Sequence, residues 1–217
     1  MKHVIKTRIP RELVRARVRQ LGHQIKKDSL QLLEQHQAKA VTFVCILKGA
    51  VLFTADLMKH LSDETSTGLE LSTQLEFVRA ASYHGTERSD KITIDFQLLD
   101  PRKITGNIVI LVDDVLDTGV TLHTTYQQLK ALEPATLKTA VLLRKRDKQY
   151  GDCFLEPDYV GFTIPNAYVV GYGLDYHGRY RHHQHISELF EGADTFPVQH
   201  FNDVPWNESL QEYLAQR

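Results

Sequence analysis

The 217-residue chain has little cysteine and almost no net charge. Its two cysteines, Cys45 and Cys153, are far apart in sequence and form neither a zinc-ligand nor a redox-motif spacing. We therefore expect reduced thiols, not a disulfide scaffold. The 26 Lys and Arg side chains oppose 27 Asp and Glu side chains, which leaves a formal net charge of −1. Proteins that coat nucleic acid or anionic membranes carry a strong positive excess, so we expect neither partner.

Long apolar runs are also missing. The longest, residues 40–57, is interrupted by Lys48, Gly49 and Asp56, and no membrane span is predicted. Residues 1–8 are positively charged but no apolar stretch follows them, so no secretory signal is predicted and a cytoplasmic location is expected. With 42% hydrophobic and 24% charged residues, the composition is that of a globular protein. The length favours one main domain with room for a small lobe.

Strand and helix patterns alternate along the chain. Continuous apolar, β-branched runs predict buried strands at 41–47, 108–112 and 137–143. Helical spacing predicts helices over 10–36, 50–61 and 121–132. Half-buried strands are predicted near 69–77 and 92–98, and short apolar pieces follow at 159–163 and 168–172. This order predicts an α/β doubly wound fold with a parallel sheet.

Three carboxylates follow the predicted strand at 108–112: Asp113, Asp114 and Asp117. In open α/β sheets, ligands bind where the strands end. A single aspartate at this point is commonly a helix cap, but a cap does not require three. Carboxylates accept hydrogen bonds from a sugar diol, and a divalent cation bound by the same oxygens is an open alternative.

Small and hydroxyl residues come next, at the start of the predicted helix: Thr118, Gly119 and Thr121. Free backbone N–H groups and the helix dipole at such a start favour a phosphate group. A P-loop is disfavoured, because Val120 and not a lysine follows Gly119.

The run from Asp113 to Thr121 resembles the phosphoribosyl pyrophosphate (PRPP) binding motif of the type I phosphoribosyltransferases. Further segments are similar to the hypoxanthine and hypoxanthine-guanine branch: VCILKGA at 44–50, a Ser-Tyr pair at 82–83, LLRKR at 142–146, and residues 157–176. The resemblance covers residues 4–188. It implies an α/β fold of the type I phosphoribosyltransferase kind, a central parallel sheet flanked by helices with a small hood lobe.

The resemblance also implies a division of the chain. Residues 1-188 would form a single phosphoribosyltransferase domain. Its core would span about 36-145, and its hood would combine the N-terminal segment with about 146-188. Residues 189-217 have no counterpart in the family and are expected to be a C-terminal extension.

Roles for individual residues follow from the matched motifs. The resemblance implies that Asp113 and Asp114 hold the ribose hydroxyls and that Asp117 is the acid/base at purine N7. It further implies that the 5′-phosphate is bound by Thr118, Gly119 and Thr121, and that the purine is bound by Lys145, Tyr168 and Val169. Pyrophosphate would be bound by Arg181 and by a loop with an unusual cis peptide, formed by Leu47, Lys48 and Gly49. Mg²⁺ would be bound by Asp175 with Asp113 and Asp114, and the flexible catalytic loop would carry Ser82 and Tyr83.

The implied activity is purine salvage, in which the 5-phosphoribosyl group of PRPP passes to N9 of hypoxanthine and/or guanine with release of pyrophosphate. The partners would be PRPP, a 6-oxopurine and Mg²⁺, and the family is usually a homodimer or homotetramer. One alternative is an RNA-binding regulator of pyrimidine genes, which shares the fold but typically has Tyr at the position of Asp117. Another is a xanthine-type or adenine-type transferase, although Lys145 favours a 6-oxo acceptor. The sequence leaves the preference among guanine, hypoxanthine and xanthine open, as well as the effect of Val120.

Overall fold

A computed structural model describes residues 3–62, 71–82, 92–146 and 155–191. Nine strands and three α-helices lie in these ranges. The strands are β1 (His3–Ile9), β2 (Val41–Leu47), β3 (Thr73–Ser82), β4 (Ile92–Asp95), β5 (Ile108–Leu116), β6 (Thr136–Lys145), β7 (Tyr159–Ile164), β8 (Val169–Val170) and β9 (Ile186–Glu191). The helices are α1 (Arg11–His36), α2 (Val51–Lys59) and α3 (Val120–Lys130), and a short 3₁₀ helix covers Pro101–Lys103.

Six strands form the central sheet, in the order β4-β3-β2-β5-β6-β7. All neighbours are parallel except β4, which pairs antiparallel with β3 at one edge. The predicted α/β architecture with a parallel sheet is therefore confirmed. Among these strands the largest difference from the sequence is in β3, which is predicted near 69–77 and spans Thr73–Ser82. Strand β4 is shorter than predicted and ends at Asp95, because residues 96–99 form a turn closed by Leu99 N–H donating to the Phe96 carbonyl.

The central strands are buried on both faces. Val41, Phe43 and Cys45 of β2 belong to one core cluster, whereas Val44 and Ile46 belong to another. Helices α1 and α2 complete the first cluster, and α3 completes the second. Continuous apolar strands fit this arrangement, because each face of the sheet is covered by helix.

Helix α1 packs on the first cluster through Val14, Val18, Leu21 and Ile25, the face predicted from their spacing. Cys45 is a buried free thiol, and burial raises its pKa to about 11, so it stays protonated at neutral pH. Cys153 lies outside the described residues. No helix among the described residues has the length and apolar character needed to cross a membrane.

A second, three-stranded antiparallel sheet has the order β1-β9-β8 and corresponds to the expected hood. Arg8 of β1 and Glu188 of β9 form a largely buried ion pair across it, with Arg8 Nε donating to Glu188 Oε2 at 2.8 Å. Strand β9 continues to Glu191, three residues past the division expected at 188. The division of the chain into domain and extension stays a prediction.

Candidate active site

The carboxyl end of β5 carries the acidic pair. Asp113 is only 6% exposed and Asp114 is partly buried. Backbone N–H groups orient both side chains: Asp114 N–H donates to Asp113 Oδ1 at 3.0 Å, and Val115 N–H donates to Asp114 Oδ1 at 2.8 Å. Burial and the charge of Asp114 hold the pKa of Asp113 well above its usual range. Burial likewise raises the pKa of Asp114, and the positive charge of Arg181 opposes part of that rise.

The turn after β5 leads directly into α3. Gly119 precedes the helix with a φ of 83°, a left-handed conformation that favours glycine. A small cavity of about 50 Å³ opens at this point, and its lining includes Asp117, Thr118, Gly119 and Thr121. The helix start supplies backbone N–H donors and the positive end of the dipole to this cavity. The four residues expected around the phosphate and the reacting base are thus in one place.

The loop expected to bind pyrophosphate joins β2 to α2. The Leu47–Lys48 peptide bond is cis, as the resemblance implied for this loop. Gly49 is buried against the acidic pair: a Cβ added to it would lie 1.5 Å from Asp114 Oδ2. A side chain at position 49 therefore has no space, and the loop meets Asp114 through its backbone.

Asp117 and Lys145 form an ion pair across the strand ends. Lys145 is the last residue of β6, and its Nζ lies 2.9 Å from Asp117 Oδ2. The lysine side chain is 11% exposed, whereas that of Asp117 is 41% exposed. An acceptor and a donor therefore stand side by side at the mouth of the site.

Residues 168–181 close the site from the hood side. Tyr168 is 52% exposed, and its hydroxyl donates to the backbone carbonyl of Asp175 at 3.1 Å. Its ring meets that of Tyr176 edge to face, with centroids 5.7 Å apart. Val169 is buried in β8 opposite Glu188 of β9, so the hood sheet fixes its backbone. Tyr168 thus lies at the exposed edge of the site, where the resemblance expects an aromatic ring against the base.

Asp175 and Arg181 form an ion pair within residues 168–181. Arg181 Nη2 lies 2.6 Å from Asp175 Oδ1, and Gly178 N–H donates to Asp175 Oδ2 at 2.7 Å. Arg181 Nη1 also donates to the Gly173 carbonyl at 2.6 Å. The guanidinium thus links the Asp175 carboxylate to the turn that packs on the pyrophosphate loop.

The structure brings together most of the residues expected from the sequence. Gly49 contacts Asp114, Asp117 pairs with Lys145, and Tyr168 and Arg181 both reach Asp175. The two residues expected in the flexible loop are the exception. Ser82 is the last residue of β3, and its backbone pairs with Ile92, whereas Tyr83 lies outside the described residues. The roles of all these residues remain predictions.

Known proteins share both the sequence and the fold. Residues 17–177 match the family described as the phosphoribosyl transferase domain. The chain belongs to the phosphoribosyltransferase family.

Named relatives of this phosphoribosyltransferase support the branch expected from the sequence. A hypoxanthine-guanine phosphoribosyltransferase of Mycobacterium tuberculosis is 38% identical over 178 residues, 82% of each chain. A hypoxanthine-guanine-xanthine phosphoribosyltransferase of Tritrichomonas foetus is 33% identical over 79% of this chain and 87% of its own. A solved hypoxanthine phosphoribosyltransferase of Trypanosoma cruzi superposes with a TM-score of 0.72 and 31% identity, covering 85% of this chain and 90% of the other. The expected family and fold are confirmed.

The donor set of this phosphoribosyltransferase fits Mg²⁺ only in part. Carboxylate oxygens such as those of Asp175 suit a hard cation. Within the described ranges, however, no three or more His, Cys, Asp and Glu side chains are grouped closely enough to hold a metal. Magnesium commonly binds through one or two carboxylates together with substrate phosphates. An ion at Asp175 would therefore take its remaining ligands from a phosphorylated substrate and from water.

Two contributors to the site were not predicted. Gly173 packs its backbone on the pyrophosphate loop, since a Cβ added to it would lie 2.1 Å from the Gly49 carbonyl. The ion pair of Arg8 and Glu188 braces the strand that pairs with Val169. The Gly-Tyr-Gly run at 171–173 is a signal for an unusual turn, but nothing local in the sequence pairs residue 8 with residue 188.

Asp113→Asn is expected to stabilise this phosphoribosyltransferase while lowering its activity. An unfolded aspartate ionises near pH 3.9, but folding raises the pKa of Asp113. The wild type therefore loses stability as the pH rises from about 4 through the folded pKa, and the neutral amide escapes that loss. For a chain of this size, each kcal/mol regained raises Tm by about 2 to 4 °C.

Thermal unfolding at pH 4 and pH 7.5 checks this expectation. The Tm difference between Asp113→Asn and the wild type should be positive at pH 7.5 and small at pH 4. Glu34→Gln, at an exposed position of α1, is the control for loss of one surface charge. A variant that is less stable than the wild type at pH 7.5 would show that the carboxylate stabilises the fold.

Proposed function

We propose that this chain transfers the 5-phosphoribosyl group of PRPP to N9 of hypoxanthine or guanine and releases pyrophosphate. The observation that carries the proposal is the Asp117–Lys145 pair, an acceptor and a donor whose charged atoms are 2.9 Å apart. A 6-oxopurine presents the complementary groups on neighbouring positions of one edge: an acceptor at O6 and, in one tautomer, an N–H donor at N7. A 6-aminopurine would instead place an amino group, which is a donor, against the Lys145 ammonium group. The ammonium group has no acceptor for it.

In the proposed reaction, N9 forms a bond to C1′ of the ribose while the bond from C1′ to the pyrophosphate oxygen breaks. Asp117 accepts the N7 proton as N9 attacks, which keeps positive charge from building on the purine. Lys145 donates to O6 and holds the base in register, and Tyr168 stacks on its face. The base thus meets C1′ in a single orientation.

Negative charge gathers on the leaving pyrophosphate as its bond breaks. Lys48 and Arg181 provide positive charge at this end of the site, and preorganised charge of this kind is an effective source of catalysis. Mg²⁺ bound to the phosphates and Asp175 would neutralise further charge on the leaving group. Asp113 and Asp114 accept hydrogen bonds from the ribose hydroxyls, and the start of α3 receives the 5′-phosphate.

Pyrophosphate release tests the activity directly. PRPP and Mg²⁺ are supplied with hypoxanthine, guanine, xanthine and adenine in separate reactions. We expect release with hypoxanthine or guanine and background release with adenine, with no purine and with a chelator present. Failure with every purine, together with tight binding of RNA, would contradict the proposal and favour the regulator of pyrimidine genes. The xanthine reaction measures the preference that the sequence left open.

We also propose that the chain works as a homodimer or homotetramer. The Trypanosoma cruzi protein was studied for the role of its C-terminal region in oligomeric state and enzymatic activity. Two apolar side chains at the start of α2, Val51 and Leu52, are exposed beside the pyrophosphate loop. Sedimentation velocity of the full chain should show an oligomer, and a monomer at micromolar concentration would contradict the proposal. The cytoplasmic location stays a prediction.

A further inference from the structure

The turn at residues 171–173 has an unusual backbone. Gly171, Tyr172 and Gly173 all have positive φ angles, of 99°, 50° and 101°. A left-handed conformation is accessible to glycine but disfavoured for tyrosine. Backbone hydrogen bonds shape the turn, since Gly171 N–H donates to the Leu174 carbonyl at 3.0 Å and Tyr172 N–H donates to the His183 carbonyl at 2.7 Å. The backbone conformation therefore does not explain why position 172 is a tyrosine, and its side chain must be considered.

The side chain of Tyr172 reaches α2. Its ring is buried, and its hydroxyl donates to Asp56 Oδ2 at 2.7 Å. Asp56 Oδ1 accepts a second hydrogen bond from Lys59 Nζ at 2.8 Å. Burial and the Asp56 carboxylate raise the pKa of Tyr172 above its ordinary value, so the phenol stays protonated and remains a donor.

This hydrogen bond connects the same two segments that meet in the active site. Helix α2 directly follows the loop Leu47–Gly49, and the turn is followed along the chain by Asp175 and then by Arg181. At the front, Gly173 packs on the Gly49 carbonyl. A second contact, the hydrogen bond between Tyr172 and Asp56, joins the same turn to helix α2. Two contacts a few residues apart fix the distance between segments better than one.

We propose that Tyr172 and Asp56 are positioning residues for the pyrophosphate end of the site, an inference that rests on the proposed function. Neither side chain touches the reacting atoms. Their hydrogen bond holds the loop that contains Lys48 at a set distance from Arg181 and Asp175. The loop and the Arg181 segment can then bind the same pyrophosphate group. Misplacement of about 1 Å at such a site can cost about a hundredfold in rate.

Tyr172→Phe removes the hydroxyl and keeps the buried ring, and the chain offers a matched control. Tyr159 is also buried and donates to Asp28 Oδ2 at 3.0 Å, but this contact joins β7 to α1 away from the site. Tyr159→Phe therefore reports the cost of losing a buried tyrosine hydroxyl bound to an aspartate. We expect the two variants to lose similar thermal stability.

Kinetics and binding should separate the two variants. For Tyr172→Phe we expect KM for PRPP to rise about tenfold, because Lys48 and Arg181 are no longer held at the distance that suits one pyrophosphate. KM for the purine should stay within about twofold of the wild type, and Tyr159→Phe should change neither constant by more than that. Equal PRPP constants for the two variants would overturn the proposal.

Two substitutions at Asp56 keep the test decisive if Tyr172→Phe fails to fold. Asp56→Asn retains an oxygen that can accept from the Tyr172 hydroxyl, whereas Asp56→Ala does not. We expect PRPP affinity, measured by calorimetry without purine, to be near wild type in Asp56→Asn and about tenfold weaker in Asp56→Ala. Wild-type affinity in Asp56→Ala overturns the proposal. A wild type that binds PRPP but transfers nothing refutes the proposed function instead, and the affinities still decide this inference.

Discussion

Asp117→Asn is expected to lower the rate of phosphoribosyl transfer by about 10² to 10⁴, the contribution typical of a general acid or base. In the wild type, Lys145 Nζ lies 2.9 Å from Asp117 Oδ2. The asparagine retains an oxygen that can accept from this Nζ, so the lysine should stay in place. It loses the capacity to take up a proton from purine N7. PRPP binding should change little, because the 5′-phosphate and ribose contacts involve other residues.

Single-turnover kinetics are the suitable measurement, since slow product release can hide a change in the chemical step. Asp158→Asn is the matched control, because Asp158 forms a comparable ion pair with Lys138 at 2.8 Å. That pair joins β6 to the start of β7, at the end opposite Lys145. Asp158→Asn should keep the wild-type rate even if it loses stability. A wild-type rate in Asp117→Asn would remove Asp117 from its assigned role.

The central sheet was predictable from the sequence because its strands are buried on both faces. Strand β2 has the predicted bounds, Val41–Leu47, and β5 contains the predicted run and continues to Leu116. Helix α1 follows from the spacing of Val14, Val18 and Leu21. In these elements the local pattern and the tertiary environment require the same residues, so local reasoning succeeds.

Strands β1 and β9 of the hood were not predicted as strands. Lys6 and Arg8 in β1 and Glu188 in β9 give these segments the polarity of surface loops. Their stability as strands comes from pairing between the two ends of the described chain, such as Ile5 with Leu189. A pairing at such a sequence separation leaves no local pattern.

The same distinction holds in the site. The acidic pair and the start of α3 are contiguous in sequence, so their chemistry was visible there. The pairing of Asp117 with Lys145 and of Tyr172 with Asp56 depends on the order of strands and on the packing of a turn. Contacts of this kind between distant segments are set by the tertiary structure and leave no local pattern in the sequence.

Gly49→Ala is expected to abolish productive PRPP binding, because the added methyl group has nowhere to go. Its Cβ would lie 1.5 Å from Asp114 Oδ2 and 2.4 Å from Asp114 Cγ. Either the carboxylate or the pyrophosphate loop must move, and a displacement of about 1 Å costs about a hundredfold in rate. Overpacking of this kind also destabilises a fold, typically by about 1 to 3 kcal/mol.

A double-mutant cycle with Asp114→Ala identifies the cause. Truncating Asp114 removes the atoms that the new methyl group would strike, so the double variant should regain much of the stability that Gly49→Ala alone loses. It should not regain activity, because the ribose has lost one of its two acceptors. Denaturant unfolding of the four proteins measures the coupling free energy. Additive stability changes would mean that the methyl group is accommodated without meeting Asp114, and the loss of PRPP binding would then need another explanation.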